Sequence, residues 1–444
     1  MLVKVSQQQV DYIFAVVFGF GRHLLRDDVV EERFGLKVVL NTVDHKNLRS
    51  IDKTSLGSVP KQTREQMSRE SEVADFGIDI EQDLIGSVTG KSRMPAFGRT
   101  ITGRDALGVN VKVDATNISD FLLQCLIRYQ SNEYKENFGW IDQIKQVRNA
   151  ETVSALDALI VVAIAQANFT KLWMAAPEIV DWLDVSGYRY RQPKRSELKT
   201  DLDIHEFIES LEGQPVTIEV LRDTPIHLIS ATTDDALEHW SAYKCLCAEV
   251  DHDGTVHVLN NGKWYEIVRE FAAEVKQSFA SLPECTVQFP DYAHNGEGAY
   301  NEHLVGVIPN SYLMDRKMIA YGGGRSSIEF CDLATTDKKL IHIKRYGGSS
   351  QLSHLFAQGI VSGELFVQDE GFRKALNKKL PRGRKLANTR ARPVASEYEV
   401  VFGIISKSQN ALDLPFFSKV TLRNARRRLE AYGYTVTKKK IQQV

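Results

Sequence analysis

The sequence predicts a multidomain protein of the α/β (α+β) class, and three observations carry this prediction. The chain has 444 residues, which is long enough for two or three domains with hydrophobic cores. Its composition, 43% hydrophobic and 25% charged, is typical of globular protein rather than of disordered sequence. Short apolar segments of strand length alternate with longer segments of helical periodicity, which is the pattern of mixed sheets and helices.

Two absences narrow the class of protein. No apolar run reaches the roughly 18 residues needed to cross a bilayer, and no secretory signal pattern is present, so we expect no membrane association. The five cysteines are an odd number in a long chain and do not suggest a disulfide framework. We therefore expect a cytoplasmic protein.

The formal net charge of -1 conceals a strong asymmetry along the chain. Residues 337–444 contain 22 Lys or Arg and 8 Asp or Glu, a net charge of +14, whereas the preceding residues contain 34 and 49, a net charge of -15. A basic C-terminal segment is the pattern expected when one face binds a polyanion such as DNA or RNA. The alternative is two parts of the chain that attract each other.

Residues 1–200 are predicted to form an N-terminal α/β domain. Its predicted elements are strands at 12–18, 35–43 and 101–113, and helices at 27–34, 79–89, 118–129 and 153–168. The polar residues 48–71 indicate an exposed loop or an extended edge strand. The basic stretch 188–200, which contains Pro193, marks the end of this domain.

Residues 201–290 are predicted to form a middle domain built on a β-meander. A helix at 203–211 precedes three strands within 243–267, and a helix at 269–280 follows them. Asp253-Gly254 and Asn261-Gly262 supply turns that accept positive φ, which is the strongest local signal for hairpins.

Residues 291–444 are predicted to form a C-terminal domain in which the element order is αβββαβ. The predicted elements are a helix at 299–308, strands at 312–320, 328–333 and 340–344, a helix at 351–366 and a strand at 400–406. The polar turn 334–339 joins the second and third strands, so Asp332 and Lys344 come to lie on neighbouring strands.

This order resembles the core of the PD-(D/E)XK nucleases, the restriction-endonuclease-like superfamily. The resemblance implies an Asp at the end of the second strand, a Glu and a Lys two residues apart on the third, and polar groups on the following helix. Asp332 and Lys344 match the first acid and the lysine. Glu302 would be an additional carboxylate on the first helix, and Gln351 and Gln358 would be the polar groups on the second.

The third strand departs from this pattern at His342. Imidazole is a poorer ligand than carboxylate for Mg²⁺, although it suits softer ions such as Mn²⁺. Glu329 could replace the absent acid, but strand alternation places it on the opposite face from Asp332. The predicted cofactor is Mg²⁺ or Mn²⁺, with Asp332, Glu302 and His342 as its ligands. The alternative is an ordinary hairpin with surface Asp and Lys side chains.

Basic clusters surround this predicted core. Residues 373–392 contain nine Lys or Arg and no acid, and are predicted to form a mobile loop. A helix at 418–432 places basic side chains on one side and apolar ones on the other. The candidate nucleic-acid-binding residues are Lys419, Arg423, Arg426, Arg427, Arg382, Arg384, Lys385 and Arg345. Such residues would contact phosphates without reading bases, although the helix face could also simply be solvated.

Motifs along nearly the whole chain resemble one family. They are FGFGRHLL, GLKVVLN, LRSIDKTSL, TITGRDALGV, PEIVDW, IEFCDL, HIKR, SSQLSHLFAQG and LPFFSKVTLRNARRRL. Taken together they resemble a sporadically distributed bacterial family of unknown function. Its distribution is similar to that of mobile or phage-defence genes, and its members tend to carry further sequence ahead of the FGFGR region.

The leading hypothesis is therefore a metal-dependent, nuclease-like protein of bacterial anti-phage defence that hydrolyses phosphodiester bonds in DNA or RNA. Asp332 and Lys344 would be central, with Glu302, Glu329, His342, Gln351 and Gln358 as helpers. The second hypothesis is a catalytically inactive nucleic-acid-binding or sensing protein with a degenerate nuclease fold. A third is an interaction protein that contacts no nucleic acid. The sequence leaves a homo-oligomer open.

Overall fold

The computed structural model describes residues 1–25, 29–56, 61–178, 180, 184–320, 327–346 and 349–444. The chain separates into two compact units. The first comprises residues 1–56 and 60–144, and the second contains residues 145–444. The prediction of a mixed α/β protein with more than one unit is confirmed.

The first unit is built on an antiparallel sheet of order β4-β3-β5-β6-β7. Its strands are β1 (Leu2–Gln7), β2 (Val10–Ala15), β3 (Val43–Ser55), β4 (Lys61–Ser71), β5 (Asp83–Ser92), β6 (Thr100–Gly103) and β7 (Leu107–Val109), and its helices are α1 (Phe34–Leu40), α2 (Ile118–Gln130) and α3 (Lys135–Phe138). β1 and β2 form a separate hairpin. The polar segment predicted at 48–71 forms much of β3 and the edge strand β4, which pair with each other.

Three sequence predictions are wrong in this unit. Helix α1 covers most of the strand predicted at 35–43, and strand β5 begins inside the helix predicted at 79–89. Residues 29–33 are not α-helical, although a helix is predicted at 27–34, of which residues 27 and 28 lie outside the described residues. The close approach of α1 to β6 explains the first error, because a Cβ at Gly35 would lie 2.1 Å from the Ala106 carbonyl oxygen and one at Gly103 would lie 2.1 Å from the Gly35 carbonyl oxygen. This packing is a tertiary requirement that local periodicity does not reveal.

The second unit begins with two further sheets. Its first elements are β8 (Ile144–Gln146), α4 (Ala150–Ala165), β9 (Leu172–Met174), β10 (Val185–Tyr190), α5 (Ile204–Ser210), α6 (Ile218–Asp223), β11 (Pro225–Ser230), β12 (Ala236–Ser241), α7 (Ala242–Cys245), β13 (Leu246–His252), β14 (Thr255–Asn260), β15 (Lys263–Ile267) and α8 (Arg269–Ala280). The sheets have the orders β10-β11-β12 and β8-β15-β14-β13-β9. The predicted meander is confirmed as β13, β14 and β15. Positive φ occurs at Asp253, Gly254, Asn261 and Gly262, as the turn sequences require.

The boundary predicted near residue 200 falls inside this folded region. β10 lies before residue 200 and pairs with β11, which lies after it. Further along, the buried carboxylate of Glu249 on β13 accepts hydrogen bonds from the backbone N–H groups of Phe416 at 2.5 Å and Phe417 at 3.3 Å. Contacts of this kind join the predicted middle region to the C-terminal region. The three-part domain division stays a prediction.

The C-terminal part contains a five-stranded mixed sheet. Its elements are α9 (Glu297–Val307), β16 (Ser311–Leu313), β17 (Ile319–Ala320), β18 (Ser327–Ile328), β19 (Leu333–Thr335), β20 (Lys339–Arg345), α10 (Ser349–Gln368), α11 (Glu370–Lys379), β21 (Glu399–Ser406), α12 (Phe416–Ala431) and β22 (Thr435–Gln442). The sheet order is β16-β19-β20-β21-β22. The first three strands are antiparallel neighbours, whereas β20, β21 and β22 run parallel.

Helices cover both faces of this sheet. On one face, Tyr300 and Leu304 of α9 pack with Ile341 and Ile343 of β20. On the other face, the cores of α10 and α12 pack against side chains that alternate with these, including Leu340 and Phe402. This three-layer arrangement fixes the ends of β20 and α9 relative to each other, and the candidate site lies at those ends.

None of the helices in the described parts of the chain is long and apolar enough to span a bilayer. The five cysteines are buried and free.

Candidate active site

Asp332 lies at the start of a short hairpin rather than at the end of a strand. β19 begins one residue later, and the Asp332 backbone N–H donates to the Ile341 carbonyl of β20 at 2.9 Å. The carboxylate accepts a hydrogen bond from the Ile343 backbone N–H at 2.6 Å and a weaker one from Asn301 Nδ2 at 3.4 Å. These contacts fix the carboxylate between β20 and α9.

Asp315 and Glu329 join Asp332 in a compact group, which we call the acid cluster. One carboxylate oxygen of each residue lies within 4.8 Å of the others, and all three residues are half-buried. Asp315 is brought there because its backbone N–H donates to the Asp332 carbonyl oxygen at 2.8 Å. Within the described residues, no other group of three His, Cys, Asp or Glu side chains comes together in this way.

The position of Glu329 corrects the prediction that it faces away from Asp332. β18 ends at Ile328 and β19 begins at Leu333, so residues 329–332 are not part of a strand and the alternation of side chains does not apply to them. Glu329 is held by a hydrogen bond to its carboxylate from the Arg316 backbone N–H. Asp315 was missed because it is a single acid in the turn after a three-residue strand, where the sequence gives no pattern.

Burial and like charges both oppose ionisation in the acid cluster. Burial raises the pKa of Asp332 to about 8, and the neighbouring Glu329, Asp315 and Glu297 add to this shift. Burial also raises the pKa of Glu329, Asp315 contributes in the same direction, and the Arg316 N–H and Lys344 partly offset the shift. Carboxylates held together in this way gain stability when a cation shares their oxygens.

Asn301 supplies a further oxygen beside the acid cluster. Its side chain on α9 is 1% exposed, and its amide reaches Asp332. The Asn301 Oδ1 atom has no hydrogen-bond partner within the described part of the chain. A buried amide oxygen without a partner is costly, and carbonyl oxygens are ligands for Mg²⁺, Mn²⁺ and Ca²⁺. The residues present therefore fit a hard divalent cation.

Glu302, which the sequence proposed as the acid on this helix, does not join the acid cluster. It is exposed, whereas the preceding residue Asn301 is buried against the sheet. One step along a helix rotates the side chain by about 100°, so adjacent residues cannot both face the same site.

Lys344 lies at the end of β20 and is held by the first residue of α9. Its Nζ atom lies 2.7 Å from Glu297 Oε2, and the other oxygen of Glu297 accepts a hydrogen bond from the Arg345 backbone N–H at 2.9 Å. The side chains of Lys344 and Glu297 are each about a third exposed. Lys344 is close enough to Glu329 to lower the pKa of that carboxyl. Glu297 was missed because it precedes the predicted helix.

His342, the third predicted metal ligand, lies in the hydrophobic core. It is 2% exposed, and its ring centroid lies 6.1 Å from that of Phe402. Burial lowers the pKa of His342 to about 4, so the imidazole is neutral at neutral pH. The structure does not bring His342 to the acid cluster, because the middle of β20 is covered by the neighbouring strand and α10.

The two glutamines proposed as helpers belong to α10. The side chain of Gln351 lies outside the described residues. Gln358 is half-buried two turns further along the helix.

The basic side of α12 is largely covered by α8. Lys419 is 8% exposed and its Nζ lies 5.3 Å from the ring centroid of Phe279, and Arg423 is 6% exposed with its guanidinium 5.4 Å from the centroid of Phe271. Lys419 also pairs with Asp413 at 2.5 Å. These two cations stabilise the packing between the helices and are not presented to a phosphate.

The remaining candidates on α12 differ in exposure. Arg426 donates to Glu430 Oε1 at 2.7 Å and to the Ser281 hydroxyl at 3.1 Å, so its guanidinium is engaged within the protein. Arg427 is exposed, as is Arg345 at the end of β20.

The clearest basic surface is the segment 378–392, which we call the basic arm. Its exposed cations are Lys378, Lys379, Arg382, Arg384, Lys385, Arg390 and Arg392. The predicted mobile loop is instead helix α11 followed by an arm tied to it. Buried Arg373 donates to the carbonyl of Thr389 at 2.8 Å, and Asn377 exchanges two hydrogen bonds with the backbone of Leu386.

Comparison with known families gives one match. The profile described as Family of unknown function (DUF6119) matches residues 1–442. The chain belongs to this family. Membership in DUF6119 confirms the resemblance to an uncharacterised family that the sequence motifs indicate. A comparison with curated proteins gives no match, and one with solved structures gives none.

Proposed function

We propose that this DUF6119 protein is a metal-dependent, nuclease-like enzyme that hydrolyses phosphodiester bonds in DNA or RNA. The observation that carries the proposal is the convergence of Asp315, Glu329 and Asp332 within 4.8 Å. The sheet neighbours β16, β19, β20 and β21, with α9 before them and α10 after β20, are compatible with the αβββαβ pattern of the PD-(D/E)XK resemblance, although β17, β18 and α11 are additional elements. The exposed cations of the basic arm provide a surface for a polyanion.

The chain's own groups suggest a division of roles. Asp315, Glu329 and Asp332 would hold Mg²⁺ or Mn²⁺, with the Asn301 amide oxygen as a further ligand. A bound ion of this kind polarises a phosphoryl oxygen and lowers the pKa of a water molecule. Lys344 places a positive charge beside the same site, where it would offset charge that develops on the phosphate. Glu297 positions Lys344 through the contact at 2.7 Å.

The test is cleavage by the full chain of supercoiled plasmid and of total RNA, with Mg²⁺ or Mn²⁺ and with a chelator. We expect metal-dependent cleavage of one substrate, reduced about a hundredfold or more by Asp332→Asn, Glu329→Gln or Lys344→Ala. Glu302→Gln is the matched control, because Glu302 is an exposed acid on the same helix as Asn301. Wild type that cuts neither substrate, or Asp332→Asn that cuts equally well, contradicts the proposal.

A second candidate function, nucleic-acid binding without cleavage, is favoured by one observation. The strand position where the resemblance implies an acid holds the buried His342, and Lys344 is engaged by Glu297. This alternative predicts affinity for nucleic acid that falls steeply with salt and does not change on chelation. Substitution of the basic-arm residues Arg382 and Arg384 by Glu should then abolish binding.

The proposed setting is bacterial anti-phage defence, which rests on the family resemblance. Phage plating on a host that expresses the full chain tests it. Protection that requires Asp332 supports the setting, and equal plating with wild type and Asp332→Asn contradicts it.

A further inference from the structure

A cavity of about 290 Å³ is lined in part by residues of the basic arm, and no residue of the acid cluster lines it. Four aromatic side chains line it: Tyr312, Phe330, Phe366 and Tyr398. Phe330 and Phe366 are buried, and their ring centroids lie 5.1 Å apart. Tyr312 and Tyr398 are half-buried and present partly open walls.

Cations surround the opening of this cavity. Arg384 and Lys385 of the basic arm contribute to its lining and are exposed. Lys338 also lines it, with its Nζ 5.2 Å from the ring centroid of Tyr398. Lys338 also forms an ion pair with Glu397. The cavity therefore combines aromatic lining residues with three cations.

The position of Arg384 and Lys385 is fixed by the fold. The hydrogen bonds of Asn377 to Leu386, at 2.7 and 3.2 Å, attach the basic arm to α11 directly after Arg384 and Lys385. Leu386 and Ala387 continue the lining. The cations are thus held at the edge of the aromatic walls and do not belong to a freely moving tail.

We propose that this cavity binds a nucleotide, with the base among the aromatic side chains and the phosphate at Arg384 and Lys385. Aromatic side chains stack on nucleobases of any sequence, and guanidinium and ammonium groups bind phosphate. The volume is at the lower end of the range for small-molecule sites, roughly 300 Å³, so it suits a single nucleotide rather than a large cofactor.

The ligand can be a free mononucleotide or one unit of a single-stranded nucleic acid, because both offer the same base and phosphate. The site goes beyond the proposed nuclease activity and does not depend on the acid cluster. Glu329 belongs to the acid cluster and the next residue, Phe330, to the cavity. The cavity and the proposed metal site therefore include adjacent residues of the chain.

The experiment is calorimetric titration of the full chain, in the presence of a chelator, with the four 5′-nucleoside monophosphates, the matching nucleosides and a short single-stranded oligonucleotide. We expect binding of at least one monophosphate or of the oligonucleotide, and binding of the nucleoside that is weaker by about tenfold or more. Binding of the monophosphate identifies a free nucleotide as a sufficient ligand. Binding of the oligonucleotide alone identifies a unit of a chain.

Variants distinguish binding in the cavity from non-specific binding of a phosphate to exposed cations. Arg384→Ala with Lys385→Ala should weaken binding by about tenfold to a hundredfold. Ala387→Trp, at an exposed lining position, should block the cavity without disturbing the core. The matched control is Lys374→Ala with Lys407→Ala, which removes two exposed cations that neither line the cavity nor belong to the basic arm. For a monophosphate, this control should bind as wild type does.

Three outcomes overturn the inference. The first is no binding of any monophosphate or of the oligonucleotide by folded wild type. The second is unchanged affinity in both the Arg384→Ala, Lys385→Ala variant and the Ala387→Trp variant. The third is a nucleoside that binds as tightly as its monophosphate. A failure of the cleavage assay leaves these results unaffected, so the two proposals fail separately.

Discussion

Asp157 and Asp332 both place a carboxylate next to a hydrophobic core of the second unit, but their surroundings differ. Asp157 on α4 is 4% exposed, and one oxygen accepts hydrogen bonds from the Tyr243 hydroxyl at 2.6 Å and Trp264 Nε1 at 2.9 Å. Its other oxygen lies 2.8 Å from Arg222 Nη2. The Asp332 carboxylate also accepts hydrogen bonds, from Ile343 and Asn301, but it lies near two other acids, Asp315 and Glu329.

The difference shows how to distinguish a structural carboxylate from a candidate site. Around Asp157 every contact is with a donor, so the charge is satisfied by the protein alone. In the acid cluster, Asp315 and Glu329 lie near Asp332 and add to the rise in the pKa of its carboxyl. Holding like-charged carboxylates together in a half-buried place is unfavourable, and such an arrangement is expected where a ligand binds.

Removing the satisfied carboxylate should have the largest effect on stability. Asp157→Ala leaves the buried hydroxyl of Tyr243 and the indole N–H of Trp264 without an acceptor, so we expect a loss of about 3 kcal/mol in the free energy of unfolding. Chemical denaturation measures it. Glu151→Ala, at an exposed position of the same helix, is the control and should cost under about 1 kcal/mol. If Asp157→Ala lowers the free energy of unfolding no more than Glu151→Ala does, Asp157 is not the structural carboxylate described here.

Glu249 is a buried carboxylate of the structural kind, and it makes a prediction about pH. Burial raises its pKa from 4.5 to about 7, although the N–H groups of Phe416 and Phe417 favour the charged form. A raised folded-state pKa means that the contribution of Glu249 to stability is greatest below pH 4.5 and is lost as the pH rises to about 7. Glu249→Gln should remove up to about 3 kcal/mol of this dependence. Identical stability profiles for wild type and variant from pH 4.5 to 7 would contradict the assignment.

Removing a charge from the acid cluster should have a smaller effect of opposite sign. Without metal, Asp315→Asn relieves repulsion with Glu329 and Asp332, so we expect the free energy of unfolding at neutral pH to rise by about 1 kcal/mol. The measurement is denaturation in the presence of a chelator. Glu302→Gln should stay within about 0.5 kcal/mol of wild type. A destabilised Asp315→Asn would mean that the acid cluster is a structural feature.

The parts of the fold that the sequence predicted are those with local signals. The meander of β13 to β15 follows from Asp253-Gly254 and Asn261-Gly262, and the mixture of helices and strands follows from the spacing of apolar runs. Helix α1 was not predicted, because its packing on β6 depends on Gly35 and Gly103, which are distant in sequence. Local patterns do not contain such contacts.

The candidate site was predicted only in part for the same reason. Asp332 and Lys344 stand out because they flank one hairpin. Asp315, Asn301 and Glu297 come from separate segments, and only the folded chain brings them together. The sequence could not show that Lys419 and Arg423 of α12 are buried beside aromatic rings of α8.

The most direct test of the acid cluster is calorimetric titration of the chelator-treated protein with Mn²⁺ and Mg²⁺. We expect wild type and Glu302→Gln to bind the ion equally well, and Glu329→Gln and Asp315→Asn to bind it at least about tenfold more weakly. Wild type that binds neither ion contradicts the account. So does a result in which Glu302→Gln abolishes binding while Glu329→Gln and Asp315→Asn leave it unchanged.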